Sequence, residues 1–473
     1  MSESSMIRPA AARPIRARGR FALRCGALVR VTMLAAAIAL CGGRAARAAD
    51  APPQCAWPIE VDGSGPSNLA YPDPNAAYWV TPFDPGAWSK LIVRGRFPNA
   101  RLMELAAFDA RGTQISGLID LHIAPDKGGL NPFRPDSASA KPAAHNYTVT
   151  VGRKRDNSHN YLGVAKNGFA WLVYRVYTPN RAIDRKGGVP LPTLTLVAAD
   201  GRAKPLAACR GQRYPEAIAQ TARMLRAFGD PGAVAADYLA NAASSGPAPS
   251  AAAAEDRPAC AGAPPAFHAR RLGGLFRYDA VKLLASGGIC PARDRIVVVR
   301  GKAPGFPDTF PGAPVWKPAP RAGAIAMRYW SLCDNLEGPP APVAACRADW
   351  ETRLDASGFY TYVLAPGYAR PAWLAADASF LPWNAAPQPN TLILRNLLPA
   401  NSFVQSIQAV EHRGCVVGGA AGKRGGAREI AKAGACAEKI MGPYYPRAVY
   451  CDRNLYVKKG WQGCFAAAGV SPP

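Results

Sequence analysis

No Cys-x-x-Cys, His-Glu-x-x-His, Gly-x-Ser-x-Gly or Gly-x-Gly-x-x-Gly element occurs in this sequence. Zinc ribbons, thioredoxin-type redox pairs, zincin proteases, ordinary α/β-hydrolases and Rossmann dinucleotide sites therefore lack their signatures. Histidine is scarce: only five occur, and His122, His145, His159, His268 and His412 form no metal-ligand pair. No metal or other cofactor is expected from that set. Uninterrupted helix-compatible stretches are also missing, because 45 glycines and 46 prolines punctuate the chain. A coiled coil or helical bundle is excluded as the main body, and a loop-rich, strand-based architecture is favoured. Acidic side chains are in deficit, 32 against 57 Lys and Arg.

Much of that basic excess sits at the start. Arg8, Arg13, Arg16, Arg18, Arg20, Arg24 and Arg30 face a single Glu3, and an apolar run from Val31 to Leu40 follows. Ten apolar residues are too few to span a bilayer. With the small-x-small site Ala46-Arg47-Ala48, they read as a secretory signal peptide over residues 1–48, and no transmembrane segment is expected after its removal. Without those residues the chain keeps 48 basic and 31 acidic side chains, a surplus of 17. Such a surplus favours anionic partners. In a periplasmic or secreted protein these are acidic glycans and lipid head groups rather than nucleic acid. Solubility alone is the alternative explanation of the charge.

Ten cysteines follow the signal, an even number that argues for a disulfide framework in an oxidising compartment. Pairing in sequence order gives Cys55 with Cys209 across the first domain, then Cys260 with Cys290, Cys333 with Cys346, Cys415 with Cys436, and Cys451 with Cys464.

Four segments recur in the same order in the two halves. Leu91–Pro98 matches Val297–Pro304, Leu105–Asp109 matches Trp330–Asp334, Tyr147–Val149 matches Tyr360–Tyr362, and Leu172–Arg175 matches Leu392–Arg395. The last match also sets Pro179 opposite Pro399. Ordered matches of this kind indicate an internal repeat. The segments are short, rich in β-branched and aromatic residues and bounded by turn formers, so they read as strands. The expected fold is mainly β, two tandem β-sandwich (jelly-roll-like) domains with a few short helices. Residues 49–212 form the first domain, 213–266 a helix and an Ala/Pro/Ser-rich linker, 267–410 the second domain, and 411–473 a cysteine-bearing extension with a helix near Glu429 to Ile440.

An apolar strand with a central arginine and a closing proline, Leu172–Pro179 and Leu392–Pro399, follows a Tyr-Thr-Val/Tyr strand in each half. In the second half Trp373-Leu374 and Leu381-Pro382-Trp383 stand between them. This pattern resembles the C-terminal sandwich domains of bacterial envelope proteins grouped as domains of unknown function, and the second half is the better match. The resemblance implies a sandwich fold and an envelope compartment, and it carries over no catalytic residue.

Candidate chemistry rests on few residues. Strand alternation puts Arg175 and Arg395 among apolar neighbours, so each must meet a carboxylate, carbonyls or a bound anion. Asp109 and Asp334 are the candidate intradomain partners, and bidentate binding of an anionic ligand is the functional alternative. Read as a strand, Asp120 and His122 share a face, with Asp126 beyond Pro125, which offers an acid–base site. Trp373 and Trp383 lie in Pro-bearing segments where rings could stack on a sugar or line an apolar cleft. Three readings follow: a module binding an anionic or amphipathic envelope component through Arg175, Arg395, Trp373 and Trp383; a periplasmic hydrolase using Asp120, His122 and Asp126; and a structural or interaction module. Oligomeric state is left open.

Overall fold

The computed structural model describes residues 55–209 and 265–473, apart from the segments 65–67, 69–70, 110–111, 136–143, 166–169, 271–280, 290–293, 321, 338–340, 384–388 and 418–425. Residues 1–48, expected to be a signal peptide, the helix expected after Tyr214, the expected linker up to residue 264, Cys260 and Cys290 lie outside the described residues. The protein is mainly β, with four multi-stranded sheets and few helices.

The first half supplies β1 (Ile59–Val61), β2 (Ala76–Phe83), β3 (Lys90–Arg96), β4 (Ala100–Phe108), β5 (Gln114–Ile119), β6 (Asn146–Gly152), β7 (Tyr161–Gly163), β8 (Ala170–Pro179), β9 (Thr193–Val197) and β10 (Ala203–Pro205). They form sheet I, in the order β1-β2-β8-β4-β5, and sheet II, in the order β10-β9-β3-β6-β7. Side chains from both sheets, among them Trp79, Leu105 and Tyr174 of sheet I and Val93, Tyr147 and Leu194 of sheet II, share one hydrophobic cluster. In β9 the sequence Thr-Leu-Thr-Leu-Val buries its leucines and leaves its threonines toward solvent, the period-two pattern of a sheet with one wet face.

The second half supplies β11 (His268–Arg270), β12 (Val281–Ile289), β13 (Arg295–Lys302), β14 (Met327–Leu336), β15 (Val343–Ala348), β16 (Phe359–Pro366), β17 (Ser379–Trp383), β18 (Asn390–Pro399), β19 (Val416–Val417) and β20 (Arg447–Asp452). Sheet III has the order β15-β14-β18-β12-β11-β19, and sheet IV the order β17-β16-β13-β20. Among the described residues three α-helices follow β18: α1 (Ile407–His412), α2 (Ala427–Met441) and α3 (Arg453–Ala467). The second covers the helix expected near Glu429 to Ile440. Ser406 and Asp452 cap the first and third, each accepting a backbone N–H from the opening turn. Strand β20, from the C-terminal stretch, hydrogen-bonds along β13.

Strand order β2-β8-β4-β5 in sheet I reappears as β12-β18-β14-β15 in sheet III, and both β6–β7 and β16–β17 pair in parallel. Gly95 faces Tyr147 across β3 and β6, and Gly301 faces Tyr360 across β13 and β16. Thr178 and Leu398, each just before the proline that closes its strand, both hold the left-handed backbone region with φ of 44° and 47°. A residue preceding proline rarely adopts that conformation. One matched segment is corrected. Arg175 faces Glu104 and Arg395 faces Ser331, so the place of Trp330 in β14 is held by Met103, not Leu105. A slip of two residues preserves which side chains point inward, so the apolar pattern alone does not detect it.

Candidate functional site

Asp120 and His122 do not share a strand face. Asp120–His122 is a single 3-10 turn, which buries Asp120 completely and leaves His122 and Asp126 exposed. The turn forms because Asn131 bonds the carbonyls of Asp120 and Ile123 at 2.7 and 2.9 Å, while the Asp120 carboxylate accepts the Met103 N–H at 2.9 Å. The other Asp120 oxygen receives Arg328 of the second half at 2.8 Å. Burial pushes this carboxyl up from its usual range, against the pull of the Arg328 charge. The Asp126 carboxylate accepts a 3.2 Å bond from the Thr148 hydroxyl.

Arg328 belongs to a reciprocal arrangement. Arg101 in β4 reaches across to Asp349, and Arg328 in β14 reaches back to Asp120. Asp349 accepts the Trp330 N–H just as Asp120 accepts that of Met103. Each guanidinium also lies over a phenylalanine ring, Arg101 over Phe306 at 5.4 Å and Arg328 over Phe133 at 5.7 Å. Arg101 Nε donates to Thr309 at 2.7 Å, and Arg328 Nε donates to the Arg101 carbonyl at 2.7 Å. Around these pairs Ala76, Leu102, Tyr177, Tyr329, Ala348 and Leu397 form a separate apolar cluster drawn from both halves. The opposed charges are far apart in sequence and their pairing left no periodic trace, so sequence reading missed Arg101, Arg328 and Asp349.

Arg175 and Arg395 take different partners from those expected. Arg175 is fully buried and donates through Nε to Glu104 at 2.6 Å, directly opposite on β4; Asp109 is not its partner. Glu104 lies inside the strand, immediately before the apolar residues that defined the matched segment. Arg395 meets no carboxylate within ion-pair distance among the described residues. Its Nη1 lies 2.8 Å from Cys333 Sγ, and its Nη2 donates to the Tyr71 carbonyl at 2.6 Å. Asp334 is instead held by Asn390 at 2.6 Å, on the opposite face of β14. Neither arginine is aimed at an open ligand site.

The two tryptophans are also occupied. Trp383 is not in an irregular segment: it closes β17, which pairs in parallel with β16, and it is buried in the core of the second half. Trp373 is half-buried and meets Tyr456 of α3 edge-on, with ring centroids 5.9 Å apart. A concavity in the second half, lined by Lys302, Trp330, Tyr360, Asn396, Phe403 and Tyr444, has room for about one water molecule. Among the described residues there are four disulfides, Cys55–Cys209, Cys333–Cys346, Cys415–Cys436 and Cys451–Cys464, each as expected from sequence order.

The outer faces of sheets II and IV differ sharply. In sheet IV, Val298, Val363 and Val449 are buried beneath Tyr456, Cys464 and Phe465 of α3. Arg300 on this face pairs with Asp355 at 2.6 Å and lies 4.0 Å under the ring of Trp461. Lys302 lies 5.9 Å from the ring centre of Tyr444. By register, Arg94 and Arg96 of sheet II stand where Arg300 and Lys302 stand in sheet IV. Both are exposed, with no carboxylate partner among the described residues. The floor beside them is polar. Thr150 takes the place of Val363 and Lys90 that of Ile296, and Thr148, Thr193 and Thr195 share the face with the half-buried Ile92 and Val197. The exposed run Arg153-Lys154-Arg155 follows β6 next to Lys90, whose own charge is met by Asp156 at 3.4 Å. The alternation Lys90-Ile92-Arg94-Arg96 was the available signal, obscured because β3 also reads as an apolar strand.

No family model and no curated protein matches the chain. Among solved structures it is similar to an uncharacterised protein from Burkholderia cenocepacia, with a TM-score of 0.44 and 12% identity over 85% of this chain and 83% of that one. It is also similar to the VPA0106 protein from Vibrio parahaemolyticus, with a TM-score of 0.32 and 9% identity over 71% of this chain and 88% of that one. Among the described residues no helix is long and apolar enough to cross a membrane.

Proposed function

We propose that this is an exported protein of two tandem β-sandwiches, derived by duplication, that binds an acidic polysaccharide of the cell envelope through the open face of sheet II. The observation that carries this reading is the exposed Arg94 and Arg96, with no carboxylate partner among the described residues, on a sheet face rich in threonine, at positions whose counterparts in the second half lie against Trp461 and Tyr444. Two arginines at i and i+2 on a strand stand about 6.8 Å apart and present planar forks that match carboxylates, while hydroxyls beside them suit a sugar chain. A helix docking here as α3 docks on sheet IV would find threonine and lysine where it needs valine and isoleucine. A bilayer would find only the half-buried Ile92 and Val197 as apolar side chains among the described strand residues of this face. Export is supported by the four disulfides and by the N-terminal signal pattern. Duplication is supported by the recurring strand order and by the paired left-handed residues before Pro179 and Pro399.

Binding of the intact secreted protein to immobilised polygalacturonate tests the proposal, with the double substitution Arg94→Glu and Arg96→Glu as the probe. Affinity should fall at least tenfold while the thermal midpoint is unchanged, and it should weaken steadily with added salt. Unchanged binding by the double variant, equal binding to a neutral glucan, or preferential sedimentation with phosphatidylglycerol vesicles would each overturn it.

A further inference from the structure

The second half differs from the first at one buried cluster. In sheet I, Arg175 is neutralised by Glu104, with Ala106 and Gly117 facing one another on the neighbouring strands. In sheet III, Ser331 replaces that glutamate opposite Arg395, and Cys333 and Cys346 stand directly opposite each other as a disulfide. Arg395 thus keeps its buried charge but loses its carboxylate, and its Nη1 rests on Cys333 Sγ at 2.8 Å. Asp73, from the first half, is the other charge at this cluster. Its Oδ1 lies 3.7 Å from Cys346 Sγ, and its carboxylate is already bonded by the Tyr329 and Ser331 hydroxyls at 2.8 and 2.7 Å and by the Asn75 N–H at 3.0 Å.

We propose that the Cys333–Cys346 disulfide is a redox-active pair, in which Cys346 is the sulfur attacked and Cys333 the sulfur released as a thiolate to Arg395. A disulfide breaks fastest when the departing sulfur is the better-stabilised anion. Here the guanidinium touches Cys333, while the Asp73 charge faces Cys346 and opposes ionisation there. Cys346 is also the more accessible residue of the two, 6% exposed against 0%, and it lies on the edge strand of sheet III. The co-reactant is a dithiol. Its thiolate bonds to Cys346 Sγ, the Cys333–Cys346 bond breaks, and the electron pair moves to Cys333 Sγ. The second thiol of the reductant then displaces Cys346, leaving a cyclic disulfide, a Cys346 thiol, a Cys333 thiolate and one proton in solvent. Access requires β15 to part from the segment that hydrogen-bonds along it, where Asn68 exchanges bonds of 2.9 and 2.7 Å with Val343 and the Tyr71 N–H bonds the Ala341 carbonyl at 2.8 Å. Reduction is therefore linked to a contact between the halves.

Two measurements on the full secreted chain test this. Graded dithiothreitol followed by alkylation and peptide mapping should reduce Cys333–Cys346 at a reductant concentration at least tenfold below that needed for Cys55–Cys209 and Cys415–Cys436. In Cys346→Ser, the thiolate absorbance of Cys333, taken as the difference from the double variant Cys333→Ser with Cys346→Ser, should titrate at least one pH unit below the ordinary thiol value of about 8.5. Arg395→Lys should keep most of that shift and Arg395→Gln should abolish it. The thiolate titration of Cys346→Ser needs no Arg395 variant to fold. A titration less than one unit below the ordinary value, or reduction of this pair no earlier than the other two, overturns the proposal.

Discussion

Arg328 donates to Asp120 across 2.8 Å, joining two residues that belong to different halves of the chain. Asp120 is fully buried, so the cation is its main compensation for lost hydration. Replacing Arg328 with Met strands that carboxylate and should cost about 3–5 kcal/mol. The double variant Arg328→Met with Asp120→Leu removes both charges and should recover most of the loss. Chemical denaturation of the three proteins checks the pair, and equal destabilisation by the single and double changes would contradict it.

Asp334 predicts a pH dependence. Burial pushes its carboxyl up to about 8, against the hydrogen bond from Asn390, and its Oδ1 has no hydrogen-bond partner among the described residues. A carboxyl whose folded value is raised contributes stability that is complete below its unfolded value near 3.8 and is lost as pH rises through the folded one. Stability should therefore fall between pH 4 and 8, by at most about 1.4 kcal/mol per pH unit from this group. Asp334→Asn should flatten that slope and raise the melting temperature at pH 8. Thermal melts of both proteins across that window decide it, and parallel slopes would refute the assignment.

Gly301 is held by Tyr360. A Cβ at Gly301 would lie 2.4 Å from the Tyr360 hydroxyl, closer than any real contact. Gly301→Ala should cost about 1–3 kcal/mol through overpacking. Adding Tyr360→Phe should restore only part of it, because the hydroxyl, which has no hydrogen-bond partner among the described residues, is removed while the ring carbon that bore it still lies 2.7 Å from the new Cβ. Urea unfolding of the two variants gives the answer.

Trp461 covers Arg300 at 4.0 Å in the position that the open face lacks. Trp461→Ala should uncover the guanidinium and cost on the order of 1 kcal/mol. Under the proposed function it should leave polygalacturonate binding unchanged, since the binding face is that of the other half. A loss of binding that matches the Arg94→Glu, Arg96→Glu variant would move the site.

The strands and the pairings Cys333–Cys346, Cys415–Cys436 and Cys451–Cys464 were legible in the sequence because they are local, whereas Cys55–Cys209 was expected only because the two cysteines bracket the first domain. Leu194 and Leu196 alternate with threonines within five residues, and Cys451 and Cys464 are near neighbours along the chain. The destinations of Asp120, Arg175 and Arg395 were not legible. Each depends on which residue lies opposite in a folded sheet or across the contact between halves, and no local period encodes that. The 3-10 turn at Asp120 was hidden for a similar reason: it is fixed by Asn131, eleven residues away. The basic face of sheet II was written in the alternation of β3, yet its exposure became evident only when the corresponding face of sheet IV was seen beneath α3.

The bridge between Cys55 and Cys209 brings backbone positions 154 residues apart to a Cα–Cα distance of 5.1 Å. A pulling force applied between residue 55 and residue 209 is therefore borne by covalent sulfur and bypasses sheets I and II. Tension along a tethered chain would leave the basic face of sheet II intact until the remaining elements had given way.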